Sequence, residues 1–104
     1  MSEIVVFITA SKEEEAVKIA YALVEAKLAG CVNILKNIRS IYRWEGKIED
    51  ENEVLMIAKT EKKLFASLEK KVRESHSYSV PEIIAVPITE GSVDYLTWLR
   101  DAIH

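Results

Sequence analysis

Cysteine is almost absent from this chain: Cys31 stands alone among 104 residues. An intrachain disulfide is therefore excluded, and a reducing compartment is expected. Glycine is nearly as rare, with three residues, Gly30, Gly46 and Gly91, far apart and each suited to a turn. No glycine-rich phosphate loop can be built from them. There is no CxxC and no HExxH, so zinc spacing is missing as well. No apolar run approaches the roughly 20 residues of a transmembrane helix. Met1-Ser2-Glu3-Ile4 lacks the basic and apolar regions of a signal peptide. The expectation is a soluble, cytoplasmic protein without a membrane partner. Positive charge is not in excess either. Lys and Arg number 14 against 17 Asp and Glu, a net charge of -3. Phosphate backbones call for a concentrated basic face, so no nucleic-acid partner is expected. Repeats, low-complexity tracts and linkers are lacking, and the length suits one domain over residues 1–104.

What remains is ordinary globular composition, 49% hydrophobic and 30% charged. One stretch dominates it. Glu45-Gly46 reads as a tight turn, because Gly takes positive φ without a Cβ clash. Before it, residues 31–44 are rich in Val, Ile, Tyr and Trp. After it, residues 47–60 end in Val54-Leu55-Met56-Ile57-Ala58. Both arms read as strand, uninterrupted by Pro. An arm of about fourteen residues spans about 45 Å, twice the other strand candidates. The overhang leaves backbone groups and apolar side chains unpaired, which invites edge pairing. The hairpin tip is therefore expected to pair with another copy of the chain. The alternation of the first arm is imperfect, and a bulge near residues 39–41 is expected.

Around the hairpin the elements follow in order. Ile4-Val5-Val6-Phe7-Ile8 reads as a central strand covered on both faces. Ser11 and Glu14 form a capping-box pattern, and Glu13, Glu14 and Glu15 suit the positive end of a helix dipole. Ala16, Ala20, Leu23, Val24 and Leu28 recur at helical spacing, and Gly30 is placed to terminate that helix. Thr60 is the expected N-cap of a second helix with Leu64, Phe65, Leu68 and Val72 on one stripe. Residues 77–82 read as a loop, since Pro81 holds Val80 extended. Ile83-Ile84-Ala85-Val86 reads as a short buried strand that Pro87 ends or places at an edge. Ser92 caps a last helix through Tyr95, Leu96 and Leu99.

This β-α-β-β-α-β order with a terminal helix predicts an α+β, ferredoxin-like sandwich: a four-stranded antiparallel sheet with both main helices on one face. The open face needs cover, and the terminal helix and neighbouring subunits are the candidates.

Chemistry-bearing residues are few. Cys31 and His76 can be paired on paper as nucleophile and base. A buried structural cysteine at a strand start is the blander reading. His76-Ser77-Tyr78-Ser79-Val80-Pro81-Glu82 gathers a titrating ring, a phenol and a carboxylate on one loop. His76 can equally cap the preceding helix, Tyr78 can pack, and Glu82 can be a solvated strand end. Glu49-Asp50-Glu51-Asn52-Glu53 reads as a solvated or bulged segment rather than a metal site. Trp98 is expected in the core. Trp44 beside the turn calls for cover by a subunit interface or a ligand cleft.

A resemblance joins these pieces. Ser40-Ile41-Tyr42-Arg43-Trp44-Glu45-Gly46-Lys47-Ile48 and Lys59-Thr60 resemble the CutA family of divalent-ion tolerance proteins. So do Phe7-Ile8-Thr9-Ala10, Ala29-Gly30-Cys31-Val32-Asn33, the His-x-Tyr-x-Val-Pro-Glu-Ile run at 76–83 and Tyr95-Leu96-x-Trp98-Leu99. The resemblance covers nearly the whole chain. It implies a homotrimer similar in architecture to PII signalling proteins, in agreement with the overhanging hairpin. Bacterial members are associated with tolerance to copper and other divalent cations, and animal relatives with acetylcholinesterase anchoring. An intersubunit cleft is the implied site, mapping here onto Cys31, Trp44, His76, Tyr78, Glu82, Tyr95 and Trp98. The chain departs from the family pattern at Ser77 and Ser79, where Pro and an acidic residue are common; the second change removes a hard-cation ligand.

The resulting expectation is a homotrimeric binding or regulatory protein of divalent metal response, not an enzyme and needing no cofactor. Its expected metal ligands are His76 and Cys31, which suit copper or another borderline divalent cation. One alternative is a PII-like sensor of an unknown small ligand, keeping Trp44, His76 and Tyr78 in the cleft without a metal. Another is a hydrolase with His76 as general base and Glu82 as its orienter.

Overall fold

The computed structural model describes residues 2–104. Its elements are β1 (Glu3–Ala10), α1 (Glu13–Glu25), β2 (Cys31–Trp44), β3 (Lys47–Glu61), a 3-10 turn (Lys62–Leu64), α2 (Phe65–Ser75), β4 (Ile83–Pro87) and α3 (Val93–Ala102). The sheet order is β2-β3-β1-β4, and every pairing is antiparallel. That is the ferredoxin-like arrangement with an added C-terminal helix. Among the described residues no helix is long and apolar enough to cross a membrane.

Alternation decides the core. Ile4, Val6, Ile8 and Ala10 of β1 pair with Thr60, Ala58, Met56 and Val54 of β3. Side chains two apart share a face, so these rows point together toward the helices. They pack against Ala16, Ile19 and Leu23 of α1 and Leu68 and Val72 of α2. The opposite face carries Phe7, Ile57, Leu35, Ile84 and Val86. It is open except where α3 lies against β3. β1 is central, as its unbroken apolar run implied. β4 is a sheet edge, the position that Pro87 allowed, but Ile84 and Val86, expected to be buried, are exposed, because no described residue covers the open face there. Trp98, expected in the core, is 46% exposed; Leu96 and Leu99 take the inward positions of α3.

The hairpin is as long as its sequence implied. The two arms meet at Glu45 and Gly46, both with positive φ, the two-residue turn that matches strand twist. β1 pairs with β3 only from Val54 onward. Residues Lys47 to Glu53 therefore project about 23 Å with β2 as their only strand partner among the described residues. The bulge lies earlier than expected, between Leu35 and Ile38, where Asn37 adopts φ 62. Asn tolerates the left-handed region better than most residues. Ile38, the first apolar residue after the bulge, keeps the sequence parity of Ile34 although it stands on the other face, and the break shows only at Ile41, which is why the expectation fell at 39–41.

Three helix ends differ from the sequence reading. Lys12, not Ser11, is the N-cap of α1, and Glu15 rather than Glu14 turns back, accepting from the Ser11 N–H and hydroxyl at 3.4 Å. Thr60 is no cap: it is a fully buried strand residue opposite Ile4, its Oγ1 without a partner, and the 3-10 turn leads into α2 instead. α1 stops at Glu25 and Lys27 takes the left-handed position, φ 58, while Leu28 and Ala29 donate to the Leu23 carbonyl. Gly30 serves a different need. A Cβ there would sit 2.6 Å from Leu99 Cδ1, and Leu99 is fully buried. Gly30→Ala is expected to cost about 1–3 kcal/mol by overpacking. A urea titration should show a lower midpoint at unchanged slope.

Candidate functional site

The bulge positions the site. It shifts β2 by one residue, so Ile38, Ser40, Tyr42 and Trp44 stand on the open face opposite Glu53, Glu51, Glu49 and Lys47. Without it these side chains would point the other way. Glu49, Glu51 and Glu53 recur at every second residue of β3 and so share that face. The loop after α2 closes over them. Together they line a cleft of about 800 Å³, to which the hairpin gives Arg39, Tyr42, Trp44 and the three glutamates, and the loop gives Tyr78, Val80 and Glu82. That size is adequate for a small ligand.

The two phenols are donors to the carboxylates. Tyr78 Oη donates to Glu53 Oε2 at 2.6 Å, and Tyr42 Oη to Glu51 Oε1 at 2.5 Å. Glu53 is 6% exposed. A buried carboxylate needs such a donor. Burial, then the bond to Glu53, pushes the Tyr78 phenol above its ordinary range. Tyr42 is pushed up to about 12, first by its bond to Glu51 and then by desolvation and the surrounding glutamates. Both phenols therefore stay protonated as donors through neutral pH.

His76 holds the loop from behind. It follows the last residue of α2 as its C-cap, but its ring does not bond the final carbonyls. Nε2 donates to the Thr9 carbonyl at 2.7 Å, and Nδ1 accepts from the Tyr78 N–H at 3.1 Å. The network assigns the Nε2–H tautomer. Both ring nitrogens are thus engaged, so neither metal ligation nor general-base work is open to His76 without breaking one of these bonds. Glu82 lines the cleft but does not hydrogen-bond His76, whose ring nitrogens are held by Thr9 and Tyr78.

Glu15 completes the support, accepting from the Ser77 N–H at 2.8 Å. Burial raises its pKa, but hydrogen bonds from Ser77 and Ser11 and the nearby His76 outweigh that, and the net value lies below 4.5. A carboxylate with a lowered folded pKa adds stability above its unfolded pKa and loses it as pH falls through the folded one. Glu15→Gln is expected to flatten the acid limb of the stability profile below about pH 4.5; urea midpoints from about pH 3 to 6 check this.

The other expected site residues lie elsewhere. Cys31 pairs with Lys59 at the far end of β3. Its Sγ is 4.0 Å from Lys59 Nζ, and the Tyr95 phenol lies against it, pushed up by burial and then by that thiol. Lys59 also bonds Asn33. The Tyr95 and Trp98 rings lie against each other, tilted by 42° with centroids 5.4 Å apart. Glu53 and Lys59 are six residues apart on one strand, about 20 Å. His76 bonds the carbonyl of Thr9, opposite Leu55, about 13 Å along β3 from the Lys59 that faces Cys31, so these two residues of one chain do not share an ion, and Tyr95 and Trp98 do not reach the Trp44–Tyr78–Glu82 cleft of their own chain. Among the described residues no group of three or more His, Cys, Asp or Glu is arranged to hold a metal.

Sequence reasoning missed Tyr42, Glu51 and Glu53 as site residues. Their signal was present as two-residue spacing on facing arms, but its face could not be assigned before the bulge was located.

The model of the CutA1 divalent ion tolerance protein family matches residues 4–102. The chain belongs to that family. It is 50% identical over 99 residues to the divalent-cation tolerance protein CutA of Thermus thermophilus, covering 95% of this chain and 96% of that one. It is 48% identical over 94 residues to the human protein CutA, with 90% of this chain covered. The chain spans about half the length of that human protein (52%) and of the chloroplastic CutA of Arabidopsis thaliana (54%). The solved T. thermophilus structure superposes with a TM-score of 0.94 at 49% identity, covering 96% of this chain and 97% of that one. A periplasmic divalent cation tolerance protein CutA from Archaeoglobus fulgidus gives 0.95 at 43%, covering 98% and 99%. The family's name describes tolerance, not a reaction.

Proposed function

We propose that this CutA family member works as a homotrimer that binds a divalent cation or a small ligand between subunits, and that it is not an enzyme. One observation carries this reading: the site is split. The cleft half, where Tyr78 bonds Glu53, and the α3 half (Cys31, Tyr95, Trp98) lie about 20 Å apart on one open sheet face, with Trp44 about 20 Å farther out along the hairpin. A second copy laid on that face covers its apolar side chains and brings the two halves together. The projecting β3 segment, with a free edge, and Trp44, 42% exposed at the tip, support the same assembly. A borderline cation such as copper would find its soft donor in Cys31. His76 offers Nδ1 only after releasing the Tyr78 N–H.

The test is light scattering coupled to size exclusion, with copper titrated in and metal quantified in the eluted peak. The reading expects a trimer carrying copper that is lost in Cys31→Ser. A metal-free trimer would overturn the cation and leave a small-ligand sensor, which the size of the cleft favours as second reading. A monomer would overturn both.

A further inference from the structure

The cleft is long as well as large. Tyr78 bonds Glu53 at its inner end, and Trp44, paired with Lys47 six residues before Glu53, stands about 20 Å out at the other. Between them Glu49, Glu51 and Glu53 form a row on one face, about 7 Å from one member to the next. Arg39 also lines the cleft, but its guanidinium is engaged with Asp50 through two bonds, at 2.9 and 2.7 Å. Like charges in a row repel unless a cation screens them. A second, independent observation points to a ligand. Glu53 is only 6% exposed, yet its carboxylate is half satisfied. Oε2 accepts from Tyr78, while Oε1 has no donor among the described residues, and the side chain lines the cleft. A buried charged oxygen without a donor is costly. Glu51 repeats the arrangement, with Oε1 held by Tyr42 and Oε2 without a donor among the described residues.

We propose that this row takes a linear aliphatic polyamine, with its ammonium groups on Glu49, Glu51 and Glu53 and its alkyl links along the aromatic side chains of the cleft. Spacing favours such a ligand over a bare ion. A divalent cation such as calcium or magnesium holds its oxygens at about 2–2.6 Å, so carboxylates anchored about 7 Å apart would have to converge on it. No three acidic or soft groups among the described residues do so. Ammonium groups joined by short alkyl chains recur at a comparable distance and can meet the carboxylates one by one, each as a charge-assisted hydrogen bond. The rings serve both parts of the ligand. Trp44 and Tyr42, 42% and 37% exposed, offer apolar surface to the methylenes and π faces to the charges. Val80, exposed on the loop above, adds apolar cover. This inference rests on the small-ligand reading above and names the class of that ligand.

The test is equilibrium dialysis of the whole protein against spermidine, a triamine, at about 0.15 M salt, where diffuse attraction is screened. Light scattering reads the mass of the same samples. Saturable binding is expected, about fivefold tighter than that of putrescine, a diamine that leaves one carboxylate unmet. Glu49→Gln and Glu51→Gln should each weaken it about two- to fivefold, as for an exposed ion pair. Glu53→Gln should weaken it at least about tenfold, because that charge is buried. Glu25→Gln, exposed at the end of α1, is the control and should change nothing. Unchanged affinity in the Glu49→Gln, Glu51→Gln double variant would overturn the inference. So would complete displacement of spermidine by magnesium at equal ionic strength. A trimer that retains no spermidine would overturn the polyamine and leave the assembly standing. A monomer that retains it through the glutamate row would overturn the assembly and support the polyamine.

Discussion

Trp44→Asp is expected to convert the proposed trimer to monomers at micromolar concentration. Trp44 stands at the last β2 position before the turn, on the open face and 42% exposed in the single chain. Among the described residues the hairpin there pairs only with its own second arm. Covering the exposed part of Trp44 removes about 60–100 Å² of largely apolar surface from water, and such anchors are typical hot spots worth at least about 2 kcal/mol each. A trimer presents the residue three times, so the loss is at least about 6 kcal/mol per assembly before the cost of desolvating three carboxylates. Sedimentation velocity across a dilution series checks this. A variant that keeps the wild-type mass at the lowest concentration would rule out the interface role of the tip. Circular dichroism of the same samples separates dissociation from unfolding, because the tip lies outside the buried cluster between sheet and helices.

Leu68→Ala carries the largest expected effect on the fold itself. Leu68 is fully buried in α2, in one cluster with β1, β3 and α1 residues. It belongs to neither half of the split site. Truncation loses the transfer free energy and leaves a cavity, together about 3–5 kcal/mol. For a domain of ordinary stability, about 5–15 kcal/mol, that is about a fifth or more of the total. Chemical denaturation at fixed protein concentration should show the shift, and fixing the concentration matters because assembly adds to apparent stability. A loss below about 1 kcal/mol would mean that α2 repacks to fill the space.

Most of the fold was legible because local chemistry and tertiary structure agree over long stretches. The alternation of β1, the stripe Leu68–Val72 and the Glu45-Gly46 turn each carry their own periodicity or backbone requirement. The failures share a cause. Ser11 and Thr60 are cap residues by type, yet Thr60 is drawn into β3 because Ile4 of β1 pairs with it. Gly30 reads as a helix stop by type, yet a side chain 69 positions later demands the missing Cβ. Trp98 and β4 read as buried by hydrophobicity, yet burial depends on which face has a neighbour.

The candidate site shows the same division. Trp44, Tyr78 and Glu82 could be named because aromatic and acidic residues beside turns and loops are uncommon without a use. Their meeting with Glu51 and Glu53, and their separation from Cys31, Tyr95 and Trp98, depended on one extra residue at Asn37 and on strand register. The sequence by itself determined the element order, the antiparallel sheet and the projecting hairpin, because periodicity and turn chemistry act within a few residues. Only the tertiary structure decided which side chains share a face and which partners His76 and Glu53 hold. A shift of one residue in a strand inverts every side chain, and no local signal reports it.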